Sequence, residues 1–323
     1  MFDSSHTSNE LSGDIKAYKT PRNLLTAALI LRLKLSRRGP RTVVCLYSGR
    51  FAVLGYLLTL FRADRKLLLY VAGSDANQDF GAGLRSLVKR WVRRWVYEHA
   101  DVVLTNGRHL ANRVQVVAPK TKPKVWYHGI ETPEVPLRLE TPSSLRIFAP
   151  RPWGDVYNNG YLLDALKTIG DEISLPIELI MNCKHATPSD LFRIQQLKGT
   201  VRVSTVDGYP FSDRYSYFCS ATHVVSMSRS DGVPNAVLEA AYAGCGLVLS
   251  DIPANRELTS EFDLRAILVR LDSPKDLVSA LTKCWTGRDE FIMSASHNME
   301  QVRSKCSIEA GLNVLRTTFN STL

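Results

Sequence analysis

From residue 42 onward the chain alternates two hydrophobic patterns. Short apolar runs stop at Gly, Ser or Asp. Between them lie segments whose apolar residues recur every three or four positions. "TVVCLYSG", "KLLLYVAGSD", "DVVLTNG" and "KVWYHGI" read as strands; "VLGYLLTLFRA", "GLRSLVKRWVRRWVYEHA" and "RHLANRVQVVA" read as helices between them. The alternation breaks at "ETPEVPLRLETPSS", a polar stretch with three prolines that reads as a linker, and then resumes. "LRIFAPR", "IELIMNC", "VRVSTVDGY", "THVVSMS", "GLVLSD" and "RAILVRL" are the strands of the second half. "GYLLDALKTIG", "SDLFRIQQL", "DRYSYFCSA", "PNAVLEAAYAG" and "PKDLVSALTKCWTG" are its helices. Ahead of all this, residues 1–20 form a polar lead-in, and "PRNLLTAALILRLKLSRRG" predicts a helix between an early Pro and Gly39. One further helix is expected from about Asp289 to Phe319.

Strand and helix in alternation with short loops predict parallel α/β sheets. A length of 323 residues exceeds what one core holds and favours two domains. The expected architecture is α/β: two doubly wound Rossmann-like domains facing across a cleft. The expected boundaries are 1–138, 139–305 and a C-terminal helix at 306–323. In such sheets ligands sit beyond the carboxyl ends of the strands.

Charge divides the halves. Residues 1–140 hold 23 Lys and Arg against 11 Asp and Glu, a net of +12; the remainder holds 18 against 20, a net of −2. Much of the excess lies on the helix over 84–99, where Leu84, Leu87, Val88, Trp91, Val92, Trp95 and Val96 follow one helical face. Arg85, Lys89, Arg90, Arg93 and Arg94 fall largely on the rest of it. A core-packed helix with a solvated basic face accounts for this pattern, and so does docking on an anionic membrane leaflet. Nucleic acid is not indicated: there is no finger, no RNP-like motif, and no basic stretch with regular exposed aromatics. The six cysteines show no CxxC pair or zinc spacing and read as reduced thiols of a cytoplasmic protein. No signal peptide is recognised in "MFDSSHTSNELSG".

The chemistry concentrates in "SRSDGVPNAVLEAAYAG", Ser228 to Gly244. Pro234 suits the first turn of a helix and Gly244 its end. Glu239 then lies about 7.5 Å along the axis from Pro234, at ~1.5 Å per residue. Asp231 stays in the loop at the helix mouth. An ordinary cap and a solvated glutamate would look the same. A helix mouth also favours phosphate, and carboxylates on either side suit hydroxylated groups.

The segment Ser228–Glu257, "SRSDGVPNAVLEAAYAGCGLVLSDIPANRE", resembles the signature of retaining nucleotide-sugar glycosyltransferases of the GT-B architecture, the family 4 or group 1 type. Gly232, Pro234, Glu239, Ala240, Ala243, Gly244 and Glu257 stand at the family spacings. "EHADVVLTNG", "VWYHGIETPEVP", "YFCSATHVVSMS" and "VAGSD" agree in order, so that the likeness spans roughly residues 40–285. The resemblance implies that Glu239 binds ribose hydroxyls and Asp231 sugar hydroxyls. It implies that Gly232, Val233, Pro234 and Asn235 meet the diphosphate and the sugar, and that Arg151 meets the diphosphate. Asn159 stands where the family carries a Lys, and Gly73 and Asp75 face the cleft from the N-terminal side. No metal cofactor is implied. The implied substrates are a nucleotide-sugar donor and a saccharide or lipid-linked saccharide acceptor. Asp231 replaces the family's Glu and Ala72 its His. The family's first strand with its Gly-rich loop has no counterpart, so a shortened N-terminal domain is expected. A degenerate homologue serving as a partner subunit, and a UDP-sugar 2-epimerase, are the alternatives.

Overall fold

The computed structural model describes residues 42–46, 49–60, 65–73, 76, 83–135, 143–169, 176–197 and 201–320. The helix expected at 21–39, Asp75 and most of the second half of the linker lie outside the described residues.

The N-terminal unit contains β1 (Thr42–Leu46), α1 (Arg50–Thr59), β2 (Lys66–Val71), α2 (Leu84–His99), β3 (Val102–Thr105), α3 (Arg108–Val117) and β4 (Lys124–Val125). Its four strands are parallel and lie in the order β1-β2-β3-β4. Alternation along β2 sends Leu67, Leu69 and Val71 into a core with Ala52, Val96, Tyr97, Leu110 and Val114 of α1, α2 and α3. Leu68 and Tyr70 face the other way, against Leu104, Trp126 and Leu315.

The C-terminal unit contains β5 (Leu145–Ala149), α4 (Asn159–Thr168), β6 (Ile177–Asn182), α5 (Pro188–Gln195), β7 (Val201–Val206), α6 (Arg214–Ser220), β8 (His223–Ser226), α7 (Asn235–Tyr242), β9 (Gly246–Ser250), α8 (Pro253–Glu261), β10 (Ile267–Val269) and α9 (Pro274–Thr286). Its parallel strands lie in the order β10-β9-β8-β5-β6-β7, the doubly wound arrangement. Leu145, Ile147 and Ala149 pack on one face with α4 and α9. Phe148 packs on the other with α6 and α7. Strand order reverses between β5 and β8, which pair at Ile147 with His223 and Phe148 with Val224.

Three sequence expectations change. The single C-terminal helix is two, α10 (Arg288–Lys305) and α11 (Ile308–Asn320). The break falls where Ser307 pairs with Ile130 as an isolated bridge, and the Ile130 and Ile308 amides are bonded across it. Through that break α11 returns to the N-terminal unit, where Trp126 Nε1 donates to the Gly311 carbonyl at 2.8 Å. Secondly, α8 falls in a segment with no helical apolar period: of its buried residues Ala254, Asn255, Glu257 and Leu258, two are polar. Thirdly, the apolar face of α2 does not pack along its whole length. Val96 and Tyr97 are buried and Trp95 meets Tyr56 edge-on at 4.4 Å, but Leu84, Leu87, Val88 and Trp91 are exposed, Leu84 at 77%. Arg93, expected on the basic face, is buried.

Candidate functional site

The reversal of strand order brings two loops together. Arg151 follows β5 and Asp231 follows β8, on either side of the crevice that the reversal opens. Beyond Asp231 the helix α7 begins at Asn235, with Pro234 as its extended N-cap and not inside its first turn. Val237, Leu238, Ala240 and Ala241 are buried and fix the helix on the sheet. It closes as a Schellman motif: the Gly244 N–H donates to Ala241 and that of Cys245 to Ala240, with Gly244 at φ +74°.

On the loop side, Arg151 Nη2 lies 2.6 Å from Asp231 Oδ2, and the Gly232 amide donates to Asp231 Oδ1 at 3.0 Å. Burial raises the Asp231 pKa; Arg151, the Gly232 amide and His109 oppose the rise. The Arg151 guanidinium lies over the Tyr157 ring, 4.5 Å from its centroid. Its Nε is buried and has no hydrogen-bond partner among the described residues. An anion in the crevice would supply one. Asn159, which stands where the resemblance places a Lys, reaches the arginine loop. Its Nδ2 donates to the carbonyls of Arg151 and Pro152, at 3.3 and 3.0 Å, and so braces the arginine loop.

On the helix side, Glu239 is buried against Arg214 of α6. Arg214 Nε donates to Glu239 Oε1 at 2.9 Å, Nη2 to Glu131 Oε2 at 2.5 Å and Nη1 to the Phe211 carbonyl at 2.5 Å. The same guanidinium lies 3.5 Å from the centroid of the Phe211 ring. Burial nonetheless drives the Glu239 pKa up to about 7, against the pull of Arg214, with Glu131 adding a like charge.

The N-terminal unit closes over the turn between these carboxylates. A side chain at Gly232 would collide with the Ala72 carbonyl, and Gly73 lies against the Gly232 amide. Asn106 Nδ2 donates to the Val233 carbonyl at 3.0 Å, and the Val233 amide donates back to Asn106 at 3.3 Å. Asn235 Nδ2 donates to His128 Nε2 at 3.0 Å, while His128 Nδ1 meets the Tyr70 hydroxyl at 2.6 Å. Burial lowers the His128 pKa, as suits a neutral ring that accepts from Asn235. Two of the amides that the resemblance assigns to a diphosphate, Gly232 and Val233, are thus engaged within the protein. In the first turn of α7 the Val237 and Leu238 amides donate to the Pro234 carbonyl, while those of Asn235 and Ala236 have no carbonyl four residues back in the helix.

Glu257 of α8 ties the two units. It accepts from the amides of Arg108 and His109 at 2.5 and 3.1 Å, from the Tyr127 hydroxyl at 2.5 Å and from His109 Nδ1 at 2.6 Å. Burial alone would raise its pKa; the hydrogen bonds together outweigh this and hold it down at about 2. Sequence reasoning missed Arg214, His109, Asn106 and the use of Glu257. Only Glu257 left a signal, its spacing from Gly244.

Residues 148–286 match the family model described as glycosyl transferases group 1. No curated protein matches the chain by sequence. Among solved structures the chain is similar to a sucrose-phosphate synthase from Thermosynechococcus elongatus, with a TM-score of 0.75 at 13% identity over 92% of this chain and 77% of that one. It is similar to Anabaena HepE in complex with UDP-glucose, with a TM-score of 0.71 at 13% identity over 92% and 82%. TarM is matched with a TM-score of 0.72 at 11% identity over 91% of this chain and 58% of that one, so the chain spans just over half of TarM. A mutant S. aureus TarM in complex with fondaparinux, alpha-GlcNAc-glycerol and UDP is matched to a similar degree, with a TM-score of 0.71 at 12% identity over 91% and 59%. These likenesses establish the fold, two Rossmann-like domains in the GT-B arrangement.

Proposed function

We infer from the match of residues 148–286 to the model of the glycosyl transferases group 1 that the chain is a retaining glycosyltransferase. It moves a sugar from a nucleotide diphosphate sugar to a saccharide or lipid-linked saccharide acceptor, in the assembly of a cell-surface polysaccharide or glycan. The observation that carries this reading is the pairing of two carboxylates, the half-buried Asp231 and the buried Glu239, with Arg151 and Arg214 on either side of one helix start. A nucleotide sugar has the matching layout of hydroxyls, diphosphate and hydroxyls. The UDP-glucose bound by HepE and the UDP bound by TarM support a uridine donor.

In this reading Arg214 holds one oxygen of Glu239, and the other accepts from ribose hydroxyls. Arg151 turns its buried Nε to the diphosphate, and the first amides of α7 share the charge that develops as the diphosphate leaves. Asp231, one methylene shorter than the family's Glu, accepts from a sugar hydroxyl. Closure of the N-terminal unit over the turn excludes water. The acceptor hydroxyl attacks the face from which the diphosphate departs, so no side chain is assigned as nucleophile. A panel of nucleotide sugars, scored for binding and for nucleotide release with a saccharide acceptor, tests the reading. Release by the wild type and its loss in Glu239→Ala are expected. A folded protein that binds none of the panel would leave the partner-subunit alternative, and epimerised donor without acceptor would point to the epimerase.

The same reading brings the N-terminal unit to an anionic leaflet. Leu84, Leu87, Val88 and Trp91 are exposed on the helix that also carries Arg85, Lys89 and Arg90 on its surface. Apolar side chains among cations suit the boundary of headgroups and acyl chains. Among the described residues no helix is long and apolar enough to cross a membrane. Co-sedimentation with vesicles containing phosphatidylglycerol is expected, weakened by Trp91→Ser. Equal recovery with neutral vesicles at low salt would contradict it.

A further inference from the structure

His109 opens the first turn of α3, in the N-terminal unit, and its ring stands between two groups of the C-terminal unit. Nδ1 lies 2.6 Å from Glu257 Oε2, and Nε2 lies 3.1 Å from the main-chain carbonyl of Asp231. A carbonyl only accepts. The carboxylate already receives the Tyr127 hydroxyl and the amides of Arg108 and His109, so it accepts on every side. Both ring nitrogens therefore face acceptors in this arrangement. The other charged groups around it are already matched. The Arg108 guanidinium pairs with Glu261 at 2.9 Å, and the Asp231 carboxylate with Arg151.

The surrounding backbone is shaped to this bridge. The N-cap of α3, Gly107, makes no side-chain cap, and Glu257 from the other unit serves its first amides instead. Gly107 has φ +132°, and a Cβ there would come within 2.9 Å of the His109 ring and 3.1 Å of Glu257 Oε2. The bridged carbonyl belongs to the peptide whose N–H, at Gly232, donates to the Asp231 carboxylate. Fixing that peptide plane fixes the direction of the Asp231 side chain.

We propose that His109 is a positioning residue for the donor turn: an imidazolium, aligned by Glu257, that grips the Asp231 carbonyl and makes the setting of that turn depend on the closed arrangement of the two units. It touches neither the donor nor the reacting atoms. The proposal deepens the glycosyltransferase reading and rests on it for the role of Asp231, but the bridge itself is observable without any ligand.

The test has two arms. In the ligand-free protein labelled with 15N-histidine, the resonances of His109, assigned by their loss in His109→Gln, are expected to show two protonated ring nitrogens at pH 7. That pattern should change in Glu257→Gln. A neutral ring with one bare nitrogen overturns the bridge, whatever the protein binds and whether or not a variant folds poorly. In the second arm, His109→Ala is expected to raise the KM for the nucleotide sugar about tenfold, with the acceptor KM unchanged. His109→Gln, whose amide can still donate toward the carbonyl, is expected to recover most of the loss. Equal donor KM in wild type and His109→Ala, or no recovery by Gln over Ala, overturns the positioning role. If the wild type binds no nucleotide sugar, the functional reading fails, and the first arm alone decides the bridge.

Discussion

Two arginine–carboxylate pairs flank one helix start, and they differ in what they leave open. Arg214 spends all three nitrogens on protein oxygens, those of Glu239, Glu131 and the Phe211 carbonyl, and lies against the Phe211 ring. Arg151 spends Nη2 on Asp231 and keeps a buried Nε without a partner among the described residues. A buried donor left open is costly in a finished core, by about 1–3 kcal/mol, and expected in a site awaiting an anion. The saturated arginine is thus part of the frame that aims Glu239. In the proposed function the other one is the arginine that meets the ligand.

This contrast breaks most sharply at Arg214. Arg214→Met leaves Glu239 and Glu131 without their cation, and a loss of about 3–5 kcal/mol in stability is expected by denaturant titration. Arg151→Ala acts on turnover: kcat is expected to fall by about 10²–10³ with a change of less than ~1 kcal/mol in folding, because one removed charge-stabilising donor has roughly that cost. A reversal of these two outcomes would exchange the roles assigned to the arginines.

The two buried glutamates sharpen the comparison through pH, with opposite signs. Glu257, held at about 2 against a usual value of 4.5, adds stability that is present above pH 4.5 and lost as pH falls through 2. Glu257→Gln is therefore expected to cost about 3 kcal/mol at neutral pH, and to cost little in acid. Glu239, raised to about 7, does the reverse: its protonated form suits the fold, and its contribution is lost as pH rises from 4.5 through 7. In the proposed function donor binding needs the ionised form, and affinity should follow that titration. Affinity measured by calorimetry is expected to drop about tenfold or more between pH 7.5 and 5.5, a factor that follows from a group titrating near 7. Glu239→Gln should bind weakly at both pH values and flatten the profile.

Much of this was legible in the sequence because it is local. The strands of both sheets stop at Gly, Ser or Asp, and the helix of Glu239 is bounded by Pro234 and Gly244 within a few residues. What was not legible spans long distances or lacks a period. Arg214 reaches Glu239 and Glu131 from 25 and 83 residues away, and His109 reaches Glu257 across 148. Nothing in "DRYSYF" or "GRHLAN" marks those partners. The helix of Glu257 buries Asn255 and Glu257 beside Ala254 and Leu258, so its inward face does not read as apolar. In α2 the period marks a helical face whose first half is exposed, because periodicity gives a face and not what covers it. The break between α10 and α11 is imposed by Ile130, more than 170 residues earlier in the chain.

The central claim is that Glu239, held by Arg214, grips the ribose of a nucleotide sugar. Calorimetric titration of the folded protein with UDP-, GDP- and ADP-hexoses, repeated with Glu239→Ala, tests it most directly. The account predicts binding of at least one of these donors by the wild type and a loss of about a hundredfold in the variant, roughly 2.7 kcal/mol. Equal affinity in the two proteins, or a folded wild type that binds none of the donors, would contradict it.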